Sequence, residues 1–588
     1  MGMALDAGTD IFDKIVPPKE YITTRFQFCL IGIKIVRFTY LTKDFYMKVI
    51  SHGSLEEELK KVLSNPHTSN NLEKAVQIAK EIIKIDNTSN YANYAMGLHE
   101  LALANRTAPQ VDYDRPIEAF KKIIKMDPNF IEPYLMLAKI YKETDRNLEY
   151  KLLLKANKQF PDHYLIMFDL ANLMTFKTGE KQKGLELFAK CVQKLPMVDA
   201  AWSGLGSAYL LNREFDMAQK SFETSLAINP ENTTSILGIG VIHFENANFK
   251  EARKYYEKSI SIDKASFWGN YNIALLNLLE GDDETGWESY EKRDKSQFLN
   301  KYGGSAIQEI FKKDISKNSN QKIVILREQG VGDDIMFSRY LRPLKNLGYD
   351  VTYACPPDLK EFLRLSPDLD DVKLTSEIAD TKVFDYRAFL MSLPWLMSGV
   401  QKPRLKDPIK IDLSRLKEKD LKIKTSVKKL VNSKKLKIGL AWSGSPKHLR
   451  DFCRSIDIDL LKNIFEIPNV EFFALQKVHR ENDKKFIKKF KNVHDCTDHL
   501  KDFLYTAYFV KKMDMIFTVD TSLVHMAGTM NKKTFLFLPK VPDYRWGLKN
   551  KQEWYPSVSL LRQEKVSDWK KPIEDCQKII NNCLSSSS

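Results

Sequence analysis

Lys322 to Leu341 reads KIVILREQGVGDDIMFSRYL, and this stretch decides how the rest of the chain is read. Ile323 to Leu326 is a short run of apolar β-formers, the pattern of a strand buried on both faces. Gly330-Val331-Gly332 follows as a glycine-spaced turn, with Asp333 and Asp334 where a helix begins. From Ile335 to Leu341 the apolar residues take helical spacing. Strand, tight turn and helix make the opening unit of a doubly wound α/β sheet, whose ligands gather beyond the carboxyl ends of its strands.

Downstream the same alternation continues. Tyr349 to Ala354 reads as a second strand, and Phe384-Asp385 leads into Arg387 to Leu396, the end of a first half. Residues 401–435 carry 13 Lys/Arg against 4 Asp/Glu, a solvated linker or surface helix by default and a phosphate- or acidic-lipid-facing patch otherwise. A second half opens with the strand Leu436 to Trp442, which runs into Ser443-Gly444-Ser445-Pro446-Lys447-His448, with Arg450 and Arg454 close behind. Such a loop offers backbone N–H groups, hydroxyls and positive charge to a diphosphate. The strand Val470 to Leu475 ends in Gln476-Lys477, and the strand Met515 to Val519 delivers Asp520-Thr521-Ser522-Leu523-Val524-His525 into a new helix. Thr521 and Ser522 stand at that helix's N-terminus, which favours phosphate oxygens but is equally an ordinary capped start, with Asp520 or Thr521 as N-cap. A last strand, Thr534 to Leu538, precedes the Pro- and aromatic-rich loop Pro539 to Trp546, a candidate pocket lining.

Upstream the chain is repetitive. Trp202, Leu205-Gly206, Tyr209, Ala218, Phe222 and Pro230 follow the tetratricopeptide pattern. A shift of 34 residues gives Gly240, Ala252 and Tyr256, and Tyr134, Leu137, Ala138 and Tyr141 repeat the first half of the pattern. Pro128, Pro161, Pro196 and Pro230 are spaced by 33, 35 and 34 residues. Five or six helical hairpins are expected, each burying its apolar face against the next to build a grooved superhelix that binds peptides or proteins. Gly281 to Arg293, with Trp287 and Tyr290 one turn apart, caps the array against the next domain.

The expected architecture is α + α/β: 1–54 unassigned, 55–293 tetratricopeptide solenoid, 294–320 connector, 321–400 first Rossmann-like half, 401–435 basic linker, 436–582 second half and 583–588 tail. Residues 1–46 fit neither pattern and read as a docking segment or as leader sequence upstream of a start at Met47. The chain has 588 residues and a net charge of +15, which suits anionic partners. No reading motif for nucleic acid accompanies that charge. No stretch reaches the roughly 18–20 apolar residues of a transmembrane helix. The seven cysteines are scattered without a CxxC pair, the pattern of reduced thiols in a cytoplasmic protein, not of a disulfide framework or zinc site. The basic segment leaves open a peripheral contact at the inner face of a membrane.

The GVGD turn, the AWSGSPKH loop and TVDTSLVHMAG together resemble the glycosyltransferases of the lipopolysaccharide heptosyltransferase family, above all bacterial proteins that join tetratricopeptide repeats to such a domain. GWESYEKR, ILREQG, DYRWG and WYPS suit that subgroup, and the similarity spans roughly residues 115–570. The resemblance implies a GT-B fold, with acceptor on the first half and nucleotide sugar on the second. It implies inverting transfer with no metal and no cofactor beyond the nucleotide-sugar co-substrate. Asp333, after Gly332, maps to the general base, and the adjacent Asp334 leaves two carboxylates for that role. Ser443, Lys447, Arg454 and the Thr521-Ser522 helix start map to the donor diphosphate, Gly332 to the donor-binding set, Asp520 and His525 to the family's DTxxxH donor motif, and Gln476, also of the donor set, to a place near the base. The acceptor is a protein, presented by the repeat groove, or a glycan or lipid-linked saccharide. The rival expectation is a non-catalytic adaptor whose α/β domain retains nucleotide-sugar binding or none.

Overall fold

The computed structural model describes residues 43–64, 69–106, 112–295, 298–299, 307–315, 320–378 and 380–586. Most of the unassigned N-terminal segment and much of the 294–320 connector lie outside the described residues. The chain divides into two compact units, Met1–Gly238 and Ile239–Ser588.

The first unit is helical. Lys43–Leu63 pairs with Ser69–Ile85, and the helix crosses the expected boundary at residue 54. Antiparallel hairpins follow: Asn90–Arg106 with Asp114–Met126, Glu132–Thr144 with Arg146–Gln159, Tyr164–Leu173 with Lys181–Lys194, and Asp199–Asn212 with Phe215–Ile228. The repeat residues do the packing expected of them. A Cβ on Gly206 would stand 2.6 Å from the Phe222 ring, so only glycine lets the two helices of that hairpin close on the aromatic between them. Phe120, Tyr134, Leu137, Tyr141 and Leu153 form one continuous core across neighbouring hairpins. The proline spacing has a hydrogen-bonding cause. Tyr134 Oη donates to the Pro128 carbonyl (3.3 Å) and Trp202 Nε1 to the Pro196 carbonyl (2.8 Å), each six residues back. A proline turn thereby hands its free carbonyl to the first aromatic of the next helix.

The second unit holds both sheets and, ahead of them, three packed helices. Phe249–Ile262 packs on Phe267–Glu280, which packs on Asp283–Glu291. The four-stranded sheet comprises β1 (Lys322–Leu326), β2 (Asp350–Ala354), β3 (Lys373–Thr375) and β4 (Tyr386–Phe389), ordered β3-β2-β1-β4 and parallel throughout. The six-stranded sheet comprises β5 (Leu436–Ala441), β6 (Val470–Ala474), β7 (Val493–Asp495), β8 (Met515–Val519), β9 (Thr534–Leu538) and β10 (Val558–Arg562), ordered β10-β9-β8-β5-β6-β7 and also parallel. Each sheet begins in its middle and winds outward twice, so the chain reverses direction between β1 and β4 and again between β5 and β8. Diverging loops at those two points leave a crevice beyond the strand ends. β3, β4, β7 and β10 were not legible as strands: three are three or four residues long, and β10, at a sheet edge, reads Val-Ser-Leu-Leu-Arg, too short and mixed for a continuous apolar run.

The sequence boundary at residue 293 does not match the division at Gly238, because the last hairpin is built into the sheet unit. Arg293 forms a buried two-point ion pair with Glu328, Nε–Oε2 2.6 Å and Nη2–Oε1 2.5 Å, just before the glycine turn. Arg404 Nη2 meets Asp283 Oδ1 at 2.5 Å, and Trp287 packs edge-on against Phe337 and Tyr544. The basic segment includes the short, partly exposed helix Thr425–Val431 and is pinned elsewhere: Glu418 bridges Lys511 and Lys512, and Arg415 pairs with Asp370. The C-terminal helix Lys570–Ser585 runs past the expected boundary at 582, with Cys583 packed against the core of the second sheet. Among the described residues no helix is long and apolar enough to cross a membrane.

Candidate functional site

The loops that leave β1, β5 and β8 line one cavity of about 680 Å³, at the two points where the sheets reverse. Its walls include Gly332 and Asp333 from the first turn, Lys447, Arg450 and Arg454 from the loop after β5, and Asp520, Thr521, Ser522 and His525 from the turn after β8. Tyr271, Leu275 and Tyr290 reach it from the helical hairpin, and Asp543 to Arg545 from the loop after β9.

The two carboxylates of the GVGDD turn have separate fates. Asp334 is turned inward: Tyr353 Oη donates to its Oδ1 at 2.6 Å, and Arg327 Nη2 lies 3.0 Å from its Oδ2. Burial raises its pKa to about 6 against the pull of Arg327. Asp333 lines the cavity, where Arg545 Nη2 grips its Oδ1 and Arg545 Nη1 meets Asp543 Oδ1 at 2.5 Å. Burial raises the Asp333 pKa, and the Arg545 guanidinium opposes that rise. Of the two acids, only Asp333 faces open space.

Gly332 serves close approach. Its Cβ would stand 2.9 Å from His525 Cδ2, so glycine allows the helix Val331–Phe337 to lie against the helix Ser522–Thr529. That contact brings the two sheets' turns to one cavity. His525 stacks on Trp546 (5.5 Å between ring centres) and shares a 3.2 Å hydrogen bond between Nδ1 and Tyr555 Oη. Burial first, then Arg545, depresses its pKa to about 3, so the ring is a neutral imidazole. Thr521 is the N-cap, its Oγ1 accepting from Leu523 N at 3.4 Å, which leaves Ser522 as the first helical residue.

On the basic side, Arg454 Nη1 donates to the Asp520 carbonyl at 2.8 Å and Arg450 makes a two-point contact with Glu245 (2.8 and 3.0 Å). Lys447 is exposed, and its ammonium has no partner among the described residues. Asp520 has a pKa raised to about 6, by burial and then by the Asp543 carboxylate, with Arg545 and Arg454 opposing. Cationic side chains and a helix start from the second sheet therefore share one cavity with the Asp333 carboxylate of the first, with Asp520 and Asp543 also on its walls.

Ser443 and Gln476 stand behind these walls, not on them. Gln476 Oε1 accepts from the backbone N–H groups of Trp442 (3.1 Å) and Ser443 (2.9 Å), while its Nε2 donates to the Val478 carbonyl at 2.9 Å. The Gln476 side chain is spent on tying the ends of β5 and β6 together, whereas Ser443 contributes only its backbone N–H and its hydroxyl is buried without a partner among the described residues, so neither joins the lining set. Arg545 and Tyr271 escaped the sequence reading as site residues. The charged DYRWG cluster inside an apolar loop was a signal for the first. A repeat-helix tyrosine gave none for the second. Among the described residues no group of three or more His, Cys, Asp or Glu side chains is arranged to hold a metal ion.

Residues 200–232 and 234–266 match the family model described as tetratricopeptide repeat. No curated protein matches the chain. Similar solved structures include MamA, 26% identical over 26% of this chain and 90% of that one with a TM-score of 0.24. Pseudomonas aeruginosa pilF is 17% identical over 37% and 94%, with a TM-score of 0.29. YrrB, described as a TPR protein with an unusual peptide-binding site, is 16% identical over 30% and 91%, with a TM-score of 0.23. The family-model match shows that the chain contains tetratricopeptide repeats, a class of helical hairpin suited to protein contacts.

Proposed function

We propose that this protein is an inverting, metal-independent glycosyltransferase of the GT-B type, moving a sugar from a nucleotide-sugar donor to a hydroxyl of a protein or glycan acceptor, with the repeats selecting the acceptor or a partner. One observation carries the reading: a carboxylate from the first sheet's turn and a cationic loop plus helix start from the second line the same cavity. Asp333 accepts the acceptor hydroxyl's proton as its oxygen bonds to the anomeric carbon. The bond from that carbon to the diphosphate breaks on the opposite face, and the nucleotide diphosphate leaves with the electron pair. Lys447, Arg454 and the N–H groups at Ser522 stabilise the departing charge. Arg545 holds Asp333 before the acceptor arrives and sets its basicity.

The test is nucleotide release and sugar transfer from ADP-, UDP- and GDP-sugars, with and without EDTA. Turnover is expected with at least one donor and is expected to survive chelation. Asp333→Ala should lower it by about 10²–10⁴-fold, the usual range for a general base, with donor affinity unchanged. An unaltered rate in Asp333→Ala removes the base assignment, and loss of turnover in EDTA restored by manganese removes the metal-free mechanism. The adaptor reading draws on one feature, the engagement of Asp333 by Arg545. Donor binding without turnover would favour it.

A further inference from the structure

The first unit carries a second cavity, of about 360 Å³, remote in sequence from every residue of the cleft. Its floor is apolar: Ile124, Pro128, Leu137, Tyr141 and Leu152, drawn from two neighbouring hairpins. Its rim is basic. Lys121 and Lys125, one turn apart on the helix Asp114–Met126, face Lys155 on the helix Arg146–Gln159 across the opening. All three lysines are exposed, and none has an ion-pair or hydrogen-bond partner among the described residues. The nearby acid on the second helix, Glu149, is engaged by Arg146 at 2.8 Å and does not neutralise them.

We infer that this slot binds an acidic peptide segment, one apolar side chain seated on the floor and carboxylates on either side meeting the three lysines. The cavity's size selects among anionic partners. At about 360 Å³ it sits at the low end of small-ligand pockets, which span roughly 300–1,000 Å³, so it takes a single large side chain, not a broad bilayer face. Three cations around one apolar well favour a chain that alternates charge with an anchor. The inference is independent of the chemistry at the cleft and holds whether or not the protein transfers sugar.

The experiment is fluorescence anisotropy with the full chain and a fluorescein-labelled nonapeptide of glutamates and aspartates flanking one central phenylalanine. Binding is expected, weakening as salt shortens the screening length from about 10 Å at 0.1 M to about 3 Å at 1 M. The triple variant Lys121→Gln, Lys125→Gln, Lys155→Gln should loosen it about tenfold or more. Leu152→Ser, at a half-buried floor position, should loosen it separately at constant charge. Phenylalanine replaced by serine in the peptide should do likewise. Equal affinity for a peptide with lysines in place of the acids, or no change in the triple variant, overturns the inference. Preferential capture by phosphatidylserine vesicles, lost in the same triple variant, overturns it in favour of a lipid surface.

Discussion

The two sheets leave their first strands by turns that share a topology and differ in charge. After β1 the chain turns through Gly330 and Gly332 and presents Asp333 to the cavity; after β5 it turns through Gly444 and presents Lys447 and Arg454. Both turns emerge where winding reverses, so their position follows from strand order alone. Their chemistry does not, since a fold fixes where a site lies and side chains fix what it does. The two turns also lean on different helices: the acidic turn on a helical hairpin whose Tyr290 hydroxyl accepts from Gln329 Nε2 at 3.3 Å and whose following Arg293 neutralises the buried Glu328, the basic turn on Glu245 through Arg450.

That asymmetry makes truncation the most damaging way to probe the pair. A chain beginning at residue 239 should fold, because it keeps the whole second unit. A chain beginning at residue 294 loses Trp287 and Tyr290, each 1% exposed, and strips Glu328 of its cation. Breaking a buried ion pair costs about 3–5 kcal/mol and deleting a buried aromatic about as much again. Soluble yield and cooperative thermal unfolding should survive in the first and vanish in the second. Equal folding of both would mean that the hairpin is an accessory to the sheets.

Within the acidic turn, Asp334→Ala should be the next largest effect. It leaves the fully buried Tyr353 hydroxyl and the Arg327 guanidinium without their shared acceptor. An unpaired buried donor costs about 1–3 kcal/mol, so thermal unfolding should fall by several degrees, with Asp333→Ala far milder. Matching losses would mean that the two carboxylates share one role. The basic turn should answer differently. Lys447→Gln touches an exposed side chain and should leave stability unchanged while weakening ADP, UDP or GDP binding about tenfold, the loss of one charge-assisted contact. Calorimetric titration reads that change directly, and an unaltered affinity would remove Lys447 from the anion-binding wall.

Long-range order in the sequence carried the repeats and the sheet cores, because helical hairpins and buried strands write periodic, apolar signatures. Gly206 against Phe222 is such a case: the glycine and the aromatic are both explicit in the pattern. The short edge strands left no such trace, and neither did polar residues whose partners come from distant segments. Gln476 looked like a site residue because it ends a strand beside the cavity, yet its amide is consumed by two backbone N–H groups. Ser443 was drawn in by its loop's composition and lies behind the wall. Arg545, which ties Asp333 to Asp543, depends on two loops roughly two hundred residues apart, a juxtaposition that no local spacing encodes.

The finest test concerns the proton shared among the acids around Arg545. Asp520 has its folded pKa raised from the ordinary 3.8 to about 6, through burial and the facing Asp543 carboxylate, whereas Asp543 itself is held below its ordinary value by Arg545. The folded protein therefore holds a proton on Asp520 that the unfolded chain releases near pH 4. This favours folding below about pH 4, and the advantage is lost as pH rises through about 6. At pH 8 the native state bears an ionised, buried Asp520, and Asp520→Asn removes that charge. The variant should unfold a few degrees above the parent at pH 8, with the gain shrinking through pH 6 and gone at pH 4. A gain independent of pH would mean that the carboxylate stays ionised throughout, held by Arg454 and Arg545 more strongly than burial and Asp543 oppose it.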